Sequence, residues 1–234
     1  MKKIVVITGA TSGYGLATAK KFKENGDIVI IASRNREKVE KTCRENGFDL
    51  GITTDVTNYN DWEILKEMVV KKYGKVDVLV NNAGGGVKIA ETVKQEKSDI
   101  DKAISLNLNS IIYGCKVFGE VMKNQRDGMV INISSVCAKH RWAGWSVYAA
   151  AKAGVLNFTK GFYVEMRPFG VRATCIIPAA ASTDFQKNAG IGEENQTLTA
   201  EDIANAVFYV ANMPKGAVVE EMTIWGISQE VQPL

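Results

Sequence analysis

Ile4-Val5-Val6-Ile7-Thr8-Gly9-Ala10-Thr11-Ser12-Gly13-Tyr14-Gly15 is the stretch that decides the fold. Its first four residues are apolar and β-branched, the composition of a strand buried on both faces. Residues 16–22 then show apolar positions at helical spacing, and Asn25-Gly26 supplies a stop. Between strand and helix lie three glycines spaced G-x-x-x-G-x-G. Glycines in such a turn let backbone N–H groups come close to an anion at the helix N-terminus. Three glycines alone are a weak signal. A strand before them and a helix after them make the turn a candidate phosphate site.

The same alternation continues outward. Residues 28–32, 50–53, 76–80, 129–133, 171–177 and 218–225 read as further strands. Residues 37–45, 98–124, 146–166 and 200–213 read as helices, as does a stretch ending at Tyr73. Asn58 or Asp61 is placed to cap that last helix, Thr199 or Glu201 to cap the one at 200–213, and Gly47 and Gly74 to end two others. Strands apolar throughout need helices on both faces, so the expected fold is α/β, Rossmann-like and doubly wound. It has a seven-stranded parallel sheet. No linker or repeat interrupts it, and residues 1–234 read as a single domain.

Composition narrows the function. The net charge is +3 and no Lys/Arg block is dense, which argues against a nucleic-acid partner. No apolar run approaches the roughly 18 residues of a membrane span, and the N-terminal apolar run is too short for a signal-peptide core. Cys43, Cys115, Cys137 and Cys175 form no C-x-x-C pair, and they read as buried free thiols of a cytoplasmic protein. With His140 as the one histidine, no metal site is expected.

Further motifs fall in order along the chain. Asp55-Val56 follows the third strand, and Asn81-Asn82-Ala83-Gly84 closes the fourth. Asn107 lies in Ser-Leu-Asn-Leu, Ser135 follows the fifth strand, and Tyr148-Ala-Ala-Ala-Lys152 gives Y-x-x-x-K. With T-G-x-x-x-G-x-G at the start, the chain resembles the short-chain dehydrogenase/reductase family over nearly its whole length. The resemblance implies a nicotinamide cofactor held by Gly9, Thr11, Ser12 and Tyr14 of the turn, by Ser33 and Arg34, and by Asp55 and Val56. It extends that set to Asn82, Ala83, Gly84, Tyr148, Lys152, Pro178 and Thr183. It also implies that Asp55 holds the adenine and that Asn81 steadies the central sheet. On local grounds each of these two also has an ordinary reading as a turn or capping residue.

Charge chooses between the two nicotinamide cofactors. An acid at the end of the second strand would bind the ribose 2′-hydroxyl and repel a 2′-phosphate. Here Ser33 takes that place, followed by Arg34, whose guanidinium suits a phosphate. NADP(H) is the expected cofactor. Ser12 stands where some NADP-dependent relatives carry a second basic residue.

The Y-x-x-x-K pair carries the chemistry. Reducing a carbonyl makes an alkoxide that needs a proton. Tyr148 offers one, and Lys152, one helical turn on, is expected to lower the phenol's pKa from about 10. Ser135 is placed to hydrogen-bond the substrate oxygen. The resemblance adds that Lys152 bonds the nicotinamide ribose and that Asn107 anchors a water in a proton relay. Singly, each of the four has an ordinary structural reading; together they fit one ordered template of Asn107, Ser135, Tyr148 and Lys152.

The resemblance has departures. Pro178-Ala179-Ala180-Ala181-Ser182-Thr183 stands where the family has P-G-x-x-x-T, and Ala179 disfavours the positive φ a glycine permits. Residues 183–199 read as a substrate lid. Cys137, Trp142 and Trp145, with Ser135 and Tyr148, are the candidate substrate contacts, suggesting an apolar, ring-shaped wall; the two tryptophans read equally as core or subunit-contact residues. The ending Glu221-Met222-Thr223-Ile224-Trp225 instead resembles a subgroup with 3-hydroxy acid dehydrogenases and sepiapterin-like reductases. The expected activity is interconversion of a carbonyl compound and a secondary alcohol, in a homotetramer or homodimer. The rival is a regulatory protein that binds the dinucleotide without turnover.

Overall fold

The computed structural model describes residues 2–85, 87–180 and 198–229. Seven strands form one parallel sheet: β1 (Ile4–Thr8), β2 (Ile28–Ser33), β3 (Leu50–Thr53), β4 (Val78–Asn81), β5 (Gly128–Ile133), β6 (Val171–Pro178) and β7 (Glu221–Ile224). Their order across the sheet is β3-β2-β1-β4-β5-β6-β7. All residues of β1, β4 and β5 are buried. Successive side chains point to opposite faces, so burial of every one requires cover on both sides.

Seven α-helices among the described residues provide that cover: α1 (Gly13–Glu24), α2 (Arg36–Asn46), α3 (Tyr59–Tyr73), α4 (Lys97–Ile104), α5 (Ser110–Gln125), α6 (Ser146–Met166) and α7 (Ala200–Ala211). Helix α1 lies against α7, and α5 lies between α3 and α6. The largest fully buried side chains include Trp62, Phe22 and Phe118, with isoleucines and leucines of the central strands around them. The caps follow local chemistry. Asn58 rather than Asp61 caps α3, by accepting from the Asn60 N–H at 3.0 Å. Thr199 caps α7 in a reciprocal box with Asp202. Gly47 and Gly74 end α2 and α3 in the left-handed conformation.

Two elements differ from the sequence reading. The span 98–124 is not one helix: a π-helical turn, Ser105–Asn109, separates α4 from α5. The Ser110 N–H bonds the Ser105 carbonyl, and the Asn107 side chain takes up the Ala103 carbonyl at 2.9 Å. The last strand is shorter than 218–225: only Glu221–Ile224 runs in ladder register with Cys175–Pro178 of β6.

Candidate active site

The strand order reverses between β1 and β4, and the crevice at the C-terminal ends of these strands is where α/β sheets bind ligands. The turns leaving the two strands are stitched together. Thr8 Oγ1 accepts the N–H groups of both Asn82 and Ala83 at 3.1 Å, and Asn82 Nδ2 donates to the carbonyls of Thr8 at 2.9 Å and Gly9 at 3.2 Å. Gly9 has φ +65°, and a Cβ there would sit 2.8 Å from Ala83 Cα. A Cβ on Gly15 would meet Asn82 Nδ2 at 2.5 Å. Both glycines are thus required by contact with the β4 turn.

On the outer side of the crevice, Thr11 Oγ1 and Ser33 Oγ lie 3.5 Å apart, linking the glycine turn to the end of β2. Arg34 follows as an exposed side chain, while Arg36 is drawn aside to Glu40 at 2.8 Å. Asp55 Oδ1 accepts from the Thr57 N–H at 2.9 Å and hydroxyl at 2.7 Å, so the turn role open to it in the sequence is realised. Buried Val56 gives its carbonyl to Trp62 Nε1 at 2.9 Å.

On the inner side, Asn107, Tyr148 and Lys152 are all buried. Asn107 sits in the π-helical turn, and its side chain grips the backbone of Gly85, accepting from N–H at 2.9 Å and donating to the carbonyl at 3.0 Å. A Cβ on Gly84 would lie 3.1 Å from Asn107 Oδ1 and 3.4 Å from Lys152 Nζ, which brings these two side chains to the same spot. Lys152 Nζ donates to the Ile133 carbonyl at 2.9 Å and lies 5.6 Å from the centre of the Tyr148 ring. Ser135 Oγ accepts from the Cys137 N–H at 3.2 Å, capping a short 3-10 turn, and it hydrogen-bonds Tyr148.

The electrostatics correct one expectation. The Tyr148 phenol is raised rather than lowered. Burial raises that phenol above its usual value, with a smaller push the same way from Cys137, and the Ser135 hydrogen bond opposes both. Burial also lowers Lys152 to about 8. Removal from water dominates for both groups, and Lys152 Nζ donates to the Ile133 carbonyl. In this state the Tyr148 phenol holds its proton.

Asn81 bridges β4 and β5, donating from Nδ2 to Asn132 Oδ1 at 2.8 Å, and Asn132 Nδ2 continues to Thr159 of α6 at 2.9 Å. Neither Asn132 nor Thr159 carries a signal in the sequence, since only their pairing between β5, β4 and α6 reveals them. Ala179 avoids the positive φ; Arg126 is the one described non-glycine residue that has it. Instead Ala179 is held from two sides: its N–H donates to the Ile224 carbonyl at 2.8 Å, and its carbonyl accepts from Tyr14 Oη at 3.4 Å. Buried Pro178 precedes it as the last residue of β6. Thr183 and nearly all of the expected lid lie outside the described residues.

On the substrate side, Trp145 meets the Tyr148 ring edge-on, centres 5.6 Å apart, and Cys137 packs into the same cluster. Trp142 packs elsewhere, against the main core and 6.2 Å from His140. His140 in turn stands edge-on to Trp225 at 5.2 Å.

The donor set suits a dinucleotide. Ser12 precedes α1 with no side-chain cap, and the helix's first turn holds no acid, leaving its N–H groups for an anion. The bare Cα of Gly84 leaves open the approach to Asn107 and Lys152.

Residues 3–194 match the short chain dehydrogenase family, and the chain belongs to that family of oxidoreductases. It is 34% identical to Tropinone reductase-like 2 of Erythroxylum coca over 90% of this chain and 84% of that one. It is 30% identical to Serine 3-dehydrogenase of Agrobacterium fabrum, over 98% of this chain and 96% of that one. The closed form of serine dehydrogenase complexed with NADP+ matches the structure with a TM-score of 0.92 at 27% identity, over 99% of this chain and 98% of that one. No helix among the described residues is long and apolar enough to cross a membrane.

Proposed function

We propose that the protein is an NADP(H)-dependent oxidoreductase that interconverts a carbonyl compound and a secondary alcohol, with Tyr148 moving the proton. The observation that carries this reading is the convergence of buried Tyr148 and Lys152, with Asn107 and Ser135, on the crevice beside the glycine turn. Bound NADP(H) supplies or accepts the hydride. Tyr148 donates its phenolic proton to the carbonyl oxygen during reduction and takes it back during oxidation. Ser135 orients that oxygen by hydrogen bonding. Lys152, anchored on Ile133, presents its ammonium to the ribose, and Asn107 holds the strand-end segment at Gly85 in place.

The remaining candidate contacts follow the crevice. The turn residues Gly9, Thr11, Ser12 and Tyr14 would face the diphosphate, and Ser33 with Arg34 the 2′-phosphate. Asp55 and Val56 would face the adenine, leaving Asn82, Ala83, Gly84, Pro178 and Thr183 for the nicotinamide half. We read residues 1–234 as one functional unit, assembled as a homotetramer or homodimer. The substrate is either apolar and cyclic or a 3-hydroxy/3-keto acid.

The test follows NADPH absorbance against a panel of ketones and β-keto acids. Wild-type protein is expected to consume NADPH with at least one of them. Tyr148→Phe is expected to lose 1,000-fold or more in kcat while still quenching on NADPH addition. Turnover that survives Tyr148→Phe would refute the assignment.

A further inference from the structure

Four polar or weakly polar residues stand in register across four neighbouring strands. Asn81 of β4 lies opposite Asn132 of β5, Asn132 opposite Cys175 of β6, and Cys175 opposite Glu221 of β7. Register partners in a parallel sheet point to the same face, so these side chains form one rung. Helix α6 docks on that face. Asn132 Nδ2 donates to Thr159 Oγ1 at 2.9 Å, and the next residue, Lys160, places its Nζ 2.8 Å from Glu221 Oε2. The rung thus holds α6 about two turns beyond Lys152.

Glu221 ends the rung, and its carboxylate takes a second cation. Oε1 pairs with Lys139 Nζ, which also donates to Thr223 Oγ1 at 3.2 Å, two residues along β7. Lys139 closes the short turn that Ser135 opens. The Ala138 N–H donates to the Ser135 carbonyl at 2.9 Å, and the Lys139 N–H donates to the Val136 carbonyl at 2.9 Å. Ser135 itself hydrogen-bonds Tyr148 of α6. One carboxylate therefore joins the turn that carries Ser135 to the helix that carries Tyr148.

The three charged side chains are sheltered: Glu221 is 27% exposed, Lys139 30% and Lys160 38%. Pairs sheltered to this degree are screened less than fully exposed ones, and two cations on one carboxylate form a small network. The two lysines hold the Glu221 carboxyl below its ordinary value, so the clamp is charged at neutral pH. The glycine turn is tied separately, to the turn after β4.

We propose that Glu221 is a positioning residue of the active site: by seating Lys139 and Lys160 on one carboxylate it locks the Ser135 turn against α6 and so fixes the Ser135 hydroxyl at Tyr148. This rests on Ser135 and Tyr148 acting together on the substrate carbonyl. The clamp bears on proton-transfer geometry and leaves the diphosphate end of the crevice alone.

The experiment measures two quantities: the single-turnover rate of NADPH oxidation with a ketone that the wild type reduces, and the NADPH dissociation constant by fluorescence titration. Glu221→Gln keeps the size of the side chain and removes its charge. It is expected to slow the single-turnover rate about tenfold and to change the dissociation constant less than about twofold. Lys139→Met is expected to reproduce most of the loss, and it tests the link from its other end if Glu221→Gln fails to fold. The double variant is expected to be no more than about twofold slower than Glu221→Gln, because both changes break one link. Asp49→Asn breaks an ion pair of similar burial at the opposite edge of the sheet, with Lys23 at 2.9 Å, and is expected to leave the rate within about twofold of wild type. An unchanged rate in Glu221→Gln would overturn the proposal. So would an equal loss in Asp49→Asn, or a dissociation constant that rises as much as the rate falls, since either would mark Glu221 as general support. If the wild type reduces no ketone of the panel, the oxidoreductase reading itself fails and this inference falls with it. Turnover that the variants leave intact overturns the inference alone.

Discussion

Lys152 joins α6 to the end of β5 at both of its ends: Nζ donates to the Ile133 carbonyl at 2.9 Å, and its own carbonyl accepts from Ser134 Oγ at 2.8 Å. The ammonium is buried, and its pKa falls to about 8 from an ordinary 10.5. Between these values the unfolded chain holds a proton that the folded chain has released, so this group makes stability rise with pH. Wild type is expected to gain on the order of 1 kcal/mol relative to Lys152→Met between pH 7 and pH 9. Urea denaturation of both proteins at the two pH values measures it. Comparing the pair cancels the buried cysteines and tyrosines, which act with the opposite sign. A difference that stays constant with pH would show that Lys152 titrates normally.

Arg34 and Arg36 lie together at the end of β2, but Arg36 is engaged by Glu40. In the proposed function Arg34, exposed and outside that pair, would meet the 2′-phosphate. A charge-assisted hydrogen bond contributes about 1.5–3 kcal/mol. Arg34→Ala is therefore expected to lower the NADPH-to-NADH ratio of kcat/KM by about 10- to 100-fold. Arg36→Ala is expected to change it less than threefold. A wild-type preference for NADH would contradict the cofactor choice.

Tyr14 reaches from the glycine turn to the Ala179 carbonyl at 3.4 Å and so spans the crevice. Ala179 is 5% exposed, so its carbonyl would lose its partner without regaining water. Tyr14→Phe is expected to cost about 1 kcal/mol and lower Tm by about 2–4 °C. It is also expected to raise the NADPH dissociation constant two- to tenfold, read by fluorescence titration. An unchanged dissociation constant with a lowered Tm would confine the bond to stability.

Much of this fold is legible in the sequence because its signals are local. Runs such as Ile28–Ser33 are apolar on both faces, and Asn58, Thr199, Gly47 and Gly74 end helices by chemistry their own side chains or φ angles dictate. The spacing of Tyr148 and Lys152 places both on one face of α6. What the sequence hides depends on distant partners. Asn107 finds its use at Gly85, and Tyr14 finds Ala179, only after the sheet assembles. The rise in the Tyr148 phenol's pKa is hidden for the same reason, since spacing reports a neighbour but not the depth at which both groups lie. Val87, Ile89 and Ala103 carry no motif, and the chain brings them to Tyr148 from a separate segment.

The π-helical turn at Ser105–Asn109 has a consequence for register. One residue more than a regular helix needs is accommodated between α4 and α5, which advances the phase of everything after it by about a hundred degrees. That offset lets α4 bury Ala103 while α5 turns Ile111, Cys115, Phe118 and Met122 inward. Deleting a single residue here would restore an unbroken spiral. It would also rotate either Asn107 away from Gly85 or the α5 stripe away from the sheet. The irregularity works as a vernier that lets a polar anchor and an apolar face share one continuous rod.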